Sequence, residues 1–191
     1  MSTSRLSGHH RYARFVLVPR PISTPRLLLV PLLEETLDAL LVGDRHAAQA
    51  LQDLEFTAEF ADSLGYEFLK AQLRGMRRRG VQSGWFVRAI LRKEDGAVVG
   101  DCGFHGSPDD VGRAEIGYRI LPEFRANGFA TEAASGLVGW AREHGVPSVY
   151  AAVKVTNVAS QRVLDEAGFA LIDSPSSERA GADEMVFKID I

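Results

Sequence analysis

A single cysteine, Cys102, stands among the 191 residues, so no internal disulfide and no Cys-rich metal site is expected, and a reducing cytoplasm suits the chain. No apolar run approaches the roughly 18 residues a membrane helix needs. Leu27–Leu33 is the greasiest stretch, and Pro31 interrupts it, so no membrane association is expected. An excess of one charge is lacking too. The 22 Lys plus Arg against 25 Asp plus Glu give a formal net charge of −3, so no direct nucleic-acid partner is expected and any polyanion must be gripped locally. Acids are missing from the start, where Arg5, Arg11, Arg14, Arg20 and Arg26 precede the first one, Glu34. The apolar piece there, Phe15–Val18, is too short for a signal core, and with Ser2, Ser4, Ser7 and Gly8 the segment reads as a mobile extension over residues 1–22. What remains is ordinary in composition, 46 % hydrophobic and 25 % charged, and residues 23–191 suit one globular domain without internal repeats.

Along that domain, periods of 2 and 3.6 alternate between Gly, Pro and Asp-Gly punctuation. Thr24–Val30 predicts a strand closed by Pro31, Glu34 and Glu35 open a helix ending near Gly43, and a second helix is expected over about Asp62–Arg79. Trp85–Arg92 and Ala97–His105 read as strands joined through the Asp95-Gly96 turn. Arg113–Leu121 follows, with Ala114, Ile116, Tyr118 and Ile120 on one face and Glu115, Gly117 and Arg119 on the other. A helix then runs to about His144, with Ala130, Ala133, Ala134, Leu137 and Ala141 on its apolar side. Ser148–Val155 is a strand, Ala159–Ala167 a helix ended by Gly168, and Phe169–Ile172 and Glu184–Ile189 are strands around a loop, Ser174–Asp183, expected to be mobile. The order β-α-α-β-β-β-α-β-α-β-β predicts a mixed sheet covered by helices.

Arg125-Ala126-Asn127-Gly128-Phe129-Ala130 follows a strand and opens a helix, with small residues where the backbone must approach something closely. Successive main-chain N–H groups at a helix start make an anion site, so a diphosphate can be held here despite the negative net charge. An ordinary loop-to-helix junction has the same pattern, and only its context separates the two readings. Asn157-Val158-Ala159-Ser160 sits at a second strand-to-helix junction, where Asn157 is a natural N-cap and Ser160 falls in the first turn. Cys102 and His105, three apart in a strand, face opposite ways, which argues against joint metal binding; His105 shares a face with Asp101 and is an alternative base. Arg74, Arg77, Arg78 and Arg79 meet a ligand phosphate or RNA or form a solvated helix face, and Asp53, Glu55, Glu59 and Asp62 attract a cationic group or lie on the surface. A dinucleotide-binding reading fails because Gly100, Gly103 and Gly106 open no helix.

These residues resemble a family. Arg125–Ala130 after Ala114-Glu115-Ile116-Gly117-Tyr118, with Asn157-Val158-Ala159-Ser160 and Gly168-Phe169, is similar to the GNAT superfamily of acyl-CoA N-acyltransferases. Thr24-Pro25-Arg26-Leu27 resembles the opening of its branch of ribosomal-protein N-terminal acetyltransferases, and the likeness covers about Thr24–Ile189. The resemblance implies an α+β GNAT fold: a mixed, mostly antiparallel twisted sheet of about seven strands with about four helices. It also implies that acetyl-CoA is the cosubstrate, that no metal takes part, that the acceptor is a primary amine of a protein N-terminus or a small molecule, and that the setting is cytoplasmic, with an oligomer compatible. Backbone amides of Arg125, Ala126, Asn127, Gly128, Phe129 and Ala130 would hold the coenzyme diphosphate, Asn157 the pantetheine arm or its neighbouring turn. Ile120 and Leu121 would supply main-chain partners to pantetheine lying in a split between Arg113–Leu121 and Ser148–Val155. Gly117, expected in a bulge, and Tyr118 would turn backbone N–H toward the thioester oxygen. Glu115 would be the base, directly or through water, or else an exposed strand carboxylate; Ser160 would assist the thiolate. A tyrosine common seven residues after the asparagine is Leu164 here, and a glutamate found five before it in another branch is Ala152, which keeps a non-catalytic acyl-CoA-binding domain as the alternative. The walls of the acceptor pocket are expected from Gly43–Ala61 and Ser174–Asp183.

Overall fold

The computed structural model describes residues 19–79, 84–172 and 183–191, with the side chain of Arg79 excepted. The N-terminal extension up to residue 18 and the loop residues 174–182 therefore lie outside the described residues. Strands are β1 (Ile22–Ser23), β2 (Leu27–Pro31), β3 (Val87–Arg92), β4 (Val98–Phe104), β5 (Arg113–Ile120), β6 (Ser148–Lys154), β7 (Ala170–Ile172) and β8 (Glu184–Asp190). Helices are α1 (Glu34–Leu41), α2 (Arg45–Gln52), α3 (Ala58–Ser63), α4 (Tyr66–Arg79), α5 (Phe129–Glu143) and α6 (Val158–Glu166). The strands form one mixed sheet in the order β1-β2-β3-β4-β5-β6-β8-β7, antiparallel throughout except for β5 beside β6. This is the expected α+β architecture with one short strand and two short helices more.

Each difference has a local cause. Ile22 and Ser23 pair with Leu29 and Leu28, so the sheet reaches into the segment read as an extension. In the stretch without clear periodicity, α2 and α3 are opened by side-chain caps: Asp44 accepts from the Ala47 amide at 2.9 Å and Thr57 from the Phe60 amide at 3.1 Å. The helix expected from Asp62 is broken at Gly65, which adopts φ +71°, so α4 starts at Tyr66.

Two cores sandwich the sheet. On one face α5 lays Ala133, Ala134, Leu137 and Ala141, all fully buried, against Leu27, Leu29, Cys102 and Ile116. Small residues let this helix approach the strands closely, as its sequence pattern predicts. On the other face Leu37, Phe56, Phe60, Leu73 and Met76 of the α1–α4 layer cover Val87, Ala89 and Leu121. Burial pushes the Cys102 thiol far above its ordinary range, so it is an inert neutral side chain. The native protein is expected to leave Cys102 unmodified by a thiol reagent that labels it fully in denaturant; labelling at equal rates in both states would contradict this packing.

The sheet does not close along its whole length. β5 pairs with β6 only from Arg113–Glu115 against Ser148–Tyr150, although both strands continue. Beyond Glu115 and Tyr150 the two strands part, and the site lies at this divergence.

Candidate active site

Register on the other side of β5 decides which backbone groups face the gap. His105 N–H donates to the Glu115 carbonyl and Leu121 N–H to the Val99 carbonyl, so odd-numbered residues of β5 direct their main-chain groups to β4. Strand alternation then turns those of Ile116, Tyr118 and Ile120 toward the split. Ile120 is thus placed as the sequence suggested, with its carbonyl also accepting from Arg125 Nε at 3.1 Å. Leu121 is not, because its N–H is already bonded to β4. Nor is there a bulge at Gly117: β4 and β5 pair without a register shift from Gly100/Ile120 to Phe104/Ile116. Of the two residues expected to present an N–H to the thioester, Tyr118 faces the gap and Gly117 faces β4.

A groove of about 840 Å³ opens along the split, lined by residues that include Tyr118, Arg125, Gly128, Ala130, Asn157 and Ser160. At its mouth Ala126 and Gly128 take left-handed conformations, φ +60° and +74°, which roll successive amides toward one side. The N–H groups of Ala126 through Thr131 find no acceptor among the described residues, and Gly128, the N-cap of α5, provides no side-chain cap. This is the unsatisfied start of a 15-residue helix, with its partial positive charge, aimed into a groove. The donors suit a diphosphate.

The cradle is held from behind by the Thr24-Pro25-Arg26-Leu27 segment. Glu132, in the first turn of α5, accepts from the Thr24 hydroxyl at 2.6 Å, the Arg26 amide at 2.7 Å and Arg26 Nε at 2.6 Å. Arg26 also donates to the Asn127 carbonyl at 2.9 Å and stacks over the Phe129 ring at 4.9 Å. Partial burial acts upward on the Glu132 carboxyl, but the three donors outweigh it and hold the group below its usual range. Its stabilising contribution is therefore present above the ordinary carboxylate range and lost as pH falls through the depressed value. Glu132→Ala is expected to cost about 1–3 kcal/mol near neutrality and less in acid, read from denaturant midpoints at several pH values. An equal loss at all pH values would contradict the clamp.

Asn157 caps α6 as expected, its side-chain oxygen accepting from the Ser160 amide at 3.1 Å. Tyr118 donates to the Ser160 carbonyl at 3.2 Å, and burial pushes its phenol up to about 12, so it remains protonated. Leu164, at the position of the common tyrosine, is fully buried in the core.

On the opposite face of β5, Glu115 is only 7 % exposed. Tyr150 donates to its Oε2 at 3.2 Å, and His105 Nδ1 lies 2.9 Å from its Oε1. In the neutral ring with Nδ1–H donated to the carboxylate, the lone pair lies on Nε2. That atom is directly over Gly117, where an added Cβ would fall 2.6 Å from it. The exposed-carboxylate reading of Glu115 is thereby corrected: the group is buried, and it orients an imidazole. Asp101, which shares the face of His105, instead pairs with Arg119 at 2.6 Å. The decisive signal, the opposition of His105 and Glu115 across β4 and β5, depends on a register that the loop between them hides from the sequence.

His105 borders two cavities. A smaller one, about 290 Å³, is lined by Leu64, Phe68, Asp101, Gly117, Tyr118 and Arg119 among others. The second, about 440 Å³, lies against α4 and includes Phe68, Arg74 and Arg78. No described lining residue of either cavity falls in Gly43–Ala61; the wall facing the strands comes from Leu64 and from Phe68 to Arg78, and the exposed acids Asp53, Glu55, Glu59 and Asp62 line neither cavity. Tyr118 and Arg119 border both the 840 Å³ groove and the smaller cavity, so the two meet across β5. Among the described residues no group of three His, Cys, Asp or Glu could hold a metal ion, and no helix is long and apolar enough to cross a membrane.

A helix start that offers free amides beside a parted pair of strands suits an extended ligand that ends in a diphosphate, and comparison with known proteins gives the family. The acetyltransferase (GNAT) domain family matches residues 26–170, and the chain belongs to that family. It is 30 % identical over 151 residues, covering 78 % of this chain and 89 % of the relative, to YjdG of Bacillus subtilis (strain 168), an N-acetyltransferase itself uncharacterized. An acetyltransferase structure from Agrobacterium tumefaciens str. C58 superposes with a TM-score of 0.60 at 20 % identity, over 90 % of this chain and 94 % of that one. The ribosomal L7/L12 alpha-N-protein acetyltransferase RimL, in complex with coenzyme A, does so with a TM-score of 0.60 at 16 % identity, over 90 % and 98 %. The resemblance read from the sequence is borne out, ribosomal-protein acetyltransferases among its structural neighbours.

Proposed function

We propose that the protein transfers an acetyl group from acetyl-CoA to a primary amine, by direct attack on the thioester with no covalent enzyme intermediate. The observation that carries this reading is the meeting of two cavities at Tyr118, one beside free helix amides and the other beside an oriented histidine. The donor is carried over from structural neighbours: RimL is in complex with coenzyme A, and the microcin C7 self-immunity acetyltransferase MccE with acetyl-CoA and AMP. Its diphosphate would accept from the amides of Ala126 to Ala130, and its pantetheine amides would pair with Tyr118 and Ile120 as an added strand.

The amine then enters from the α4 side. His105 Nε2 takes its proton as nitrogen bonds to the carbonyl carbon, with Glu115 and Tyr150 positioning the ring. The tetrahedral oxygen is held by the Tyr118 amide, the C–S bond breaks, and the Ser160 hydroxyl hydrogen-bonds the departing thiolate until water protonates it. Assigning the base to His105 replaces the expected direct role of Glu115 with a positioning one. A base matters most for a lysine-like amine, whose pKa near 10.4 leaves little neutral form, and less for an α-amine near 8.

The test is release of coenzyme A thiol from acetyl-CoA across a panel of primary amines, with product masses raised by one acetyl group. Because Cys102 is buried, the thiol signal is the coenzyme's alone. Amine-dependent release is the expected result. Thermal stabilisation by acetyl-CoA with no release for any amine would overturn the reading in favour of a non-catalytic acyl-CoA-binding domain.

A further inference from the structure

The arginines of α4 form one cluster in the sequence and separate groups in space. Arg77 turns to α1, with Nε 2.7 Å from Glu34 and Nη2 2.6 Å from Asp38. Arg74 and Arg78, four residues apart and therefore on one face of the helix, instead border the 440 Å³ cavity that also reaches His105. Neither forms an ion pair or hydrogen bond with a described residue, and no Asp or Glu is among the described residues that line the cavity. Gln72, buried in the same wall, is engaged with the Val87 amide at 3.0 Å and the Phe104 carbonyl at 3.5 Å. The guanidinium groups are thus the only charged donors among the described lining residues, and Phe68 and Phe86 add apolar surface to the same lining.

We infer that the acetyl acceptor is an amine that also carries an oxyanion, a carboxylate or a phosphate, held by Arg74 and Arg78 while the amine lies at His105. The inference rests on the acetyl-transfer reading and names its substrate class. Planar guanidinium groups match either oxyanion through paired N–H donors. Two positive charges along the entry route also disfavour the ammonium form of the incoming amine, so the neutral nucleophile is enriched where it must react. The same charges turn away polycationic acceptors.

The experiment compares matched acceptor pairs: primary amines bearing a carboxylate at increasing distance against the corresponding amides, and phosphate monoesters against the corresponding alcohols. The preference ratio in kcat/KM is expected to favour the anionic member by about tenfold or more in at least one pair, and the two arms separate carboxylate from phosphate. Arg74→Glu/Arg78→Glu should bring that ratio to one or below, with a melting temperature near that of the parent because both residues are exposed. Arg74→Gln and Arg78→Gln singly should lower it in part. A parent enzyme that acetylates both members equally, or a ratio unmoved by charge reversal, overturns the inference while leaving acetyl transfer intact. A readout independent of turnover is titration with N-acetylglycine and, separately, inorganic phosphate, observing the Nε–H resonances of Arg74 and Arg78. Shifts confined to these two arginines with either probe support the subsite, and their absence with both contradicts it.

Discussion

His105→Ala is expected to lower kcat/KM for the amine acceptor by about 10²–10⁴-fold while leaving acetyl-CoA affinity within about twofold. Among the described residues the imidazole is the one titratable group that borders both cavities on this side of the sheet, and its partner Glu115 is buried beneath it. Glu115→Gln keeps the shape but not the charge, so it should lower kcat by a smaller factor and displace the pH profile of kcat/KM, a change that a structural carboxylate would not produce. Gly117→Ala is the sharper probe. Its methyl group would stand 2.6 Å from Nε2 and must push the ring off its position, with no titratable group altered. Loss of turnover in Gly117→Ala with an unchanged coenzyme Kd is the expected outcome; full turnover in either His105→Ala or Gly117→Ala would remove His105 from the mechanism.

The second large effect concerns the coenzyme cradle. Ala130 sits in the first turn of α5 and faces the groove. An acid in the first turn complements the helix dipole, so Ala130→Glu should fold normally. Its carboxylate would nevertheless face the diphosphate. At an effective dielectric constant near 20, like charges about 5 Å apart repel by about 3 kcal/mol, which is about a hundredfold in Kd. Calorimetric titration with coenzyme A should register that weakening together with an unchanged melting temperature. An unaltered Kd would mean that the diphosphate binds elsewhere.

The readable parts of this chain are those where one rule acts alone. Alternation along Arg113–Leu121 foretold which side chains share a face, and the Ala-rich stripe of α5 foretold its close packing, because sheet pleat and helix pitch leave no other arrangement. Asn157 as a cap and Arg125–Ala130 as an amide-rich turn were legible for the same reason: their chemistry is local. What was hidden is relational. Thr24 and Arg26 lie more than a hundred residues from Glu132 in sequence yet meet it over three hydrogen bonds. The pairing of His105 with Glu115 depends on strand register across a loop, and the division of Arg74 and Arg78 from Arg77 depends on where α1 lies. The missing bulge at Gly117 is of the same kind. A glycine there is explained equally by a bulge or by a ring lying over it, and only the neighbouring strand distinguishes them.

Backbone amide spectra of the protein titrated with coenzyme A weigh the whole proposal at once. The largest perturbations should fall on Ala126–Thr131, on Tyr118 and Ile120 along the parted edge of β5, and on Ser160 in the facing turn. Resonances of these residues that stay fixed while others move would contradict it.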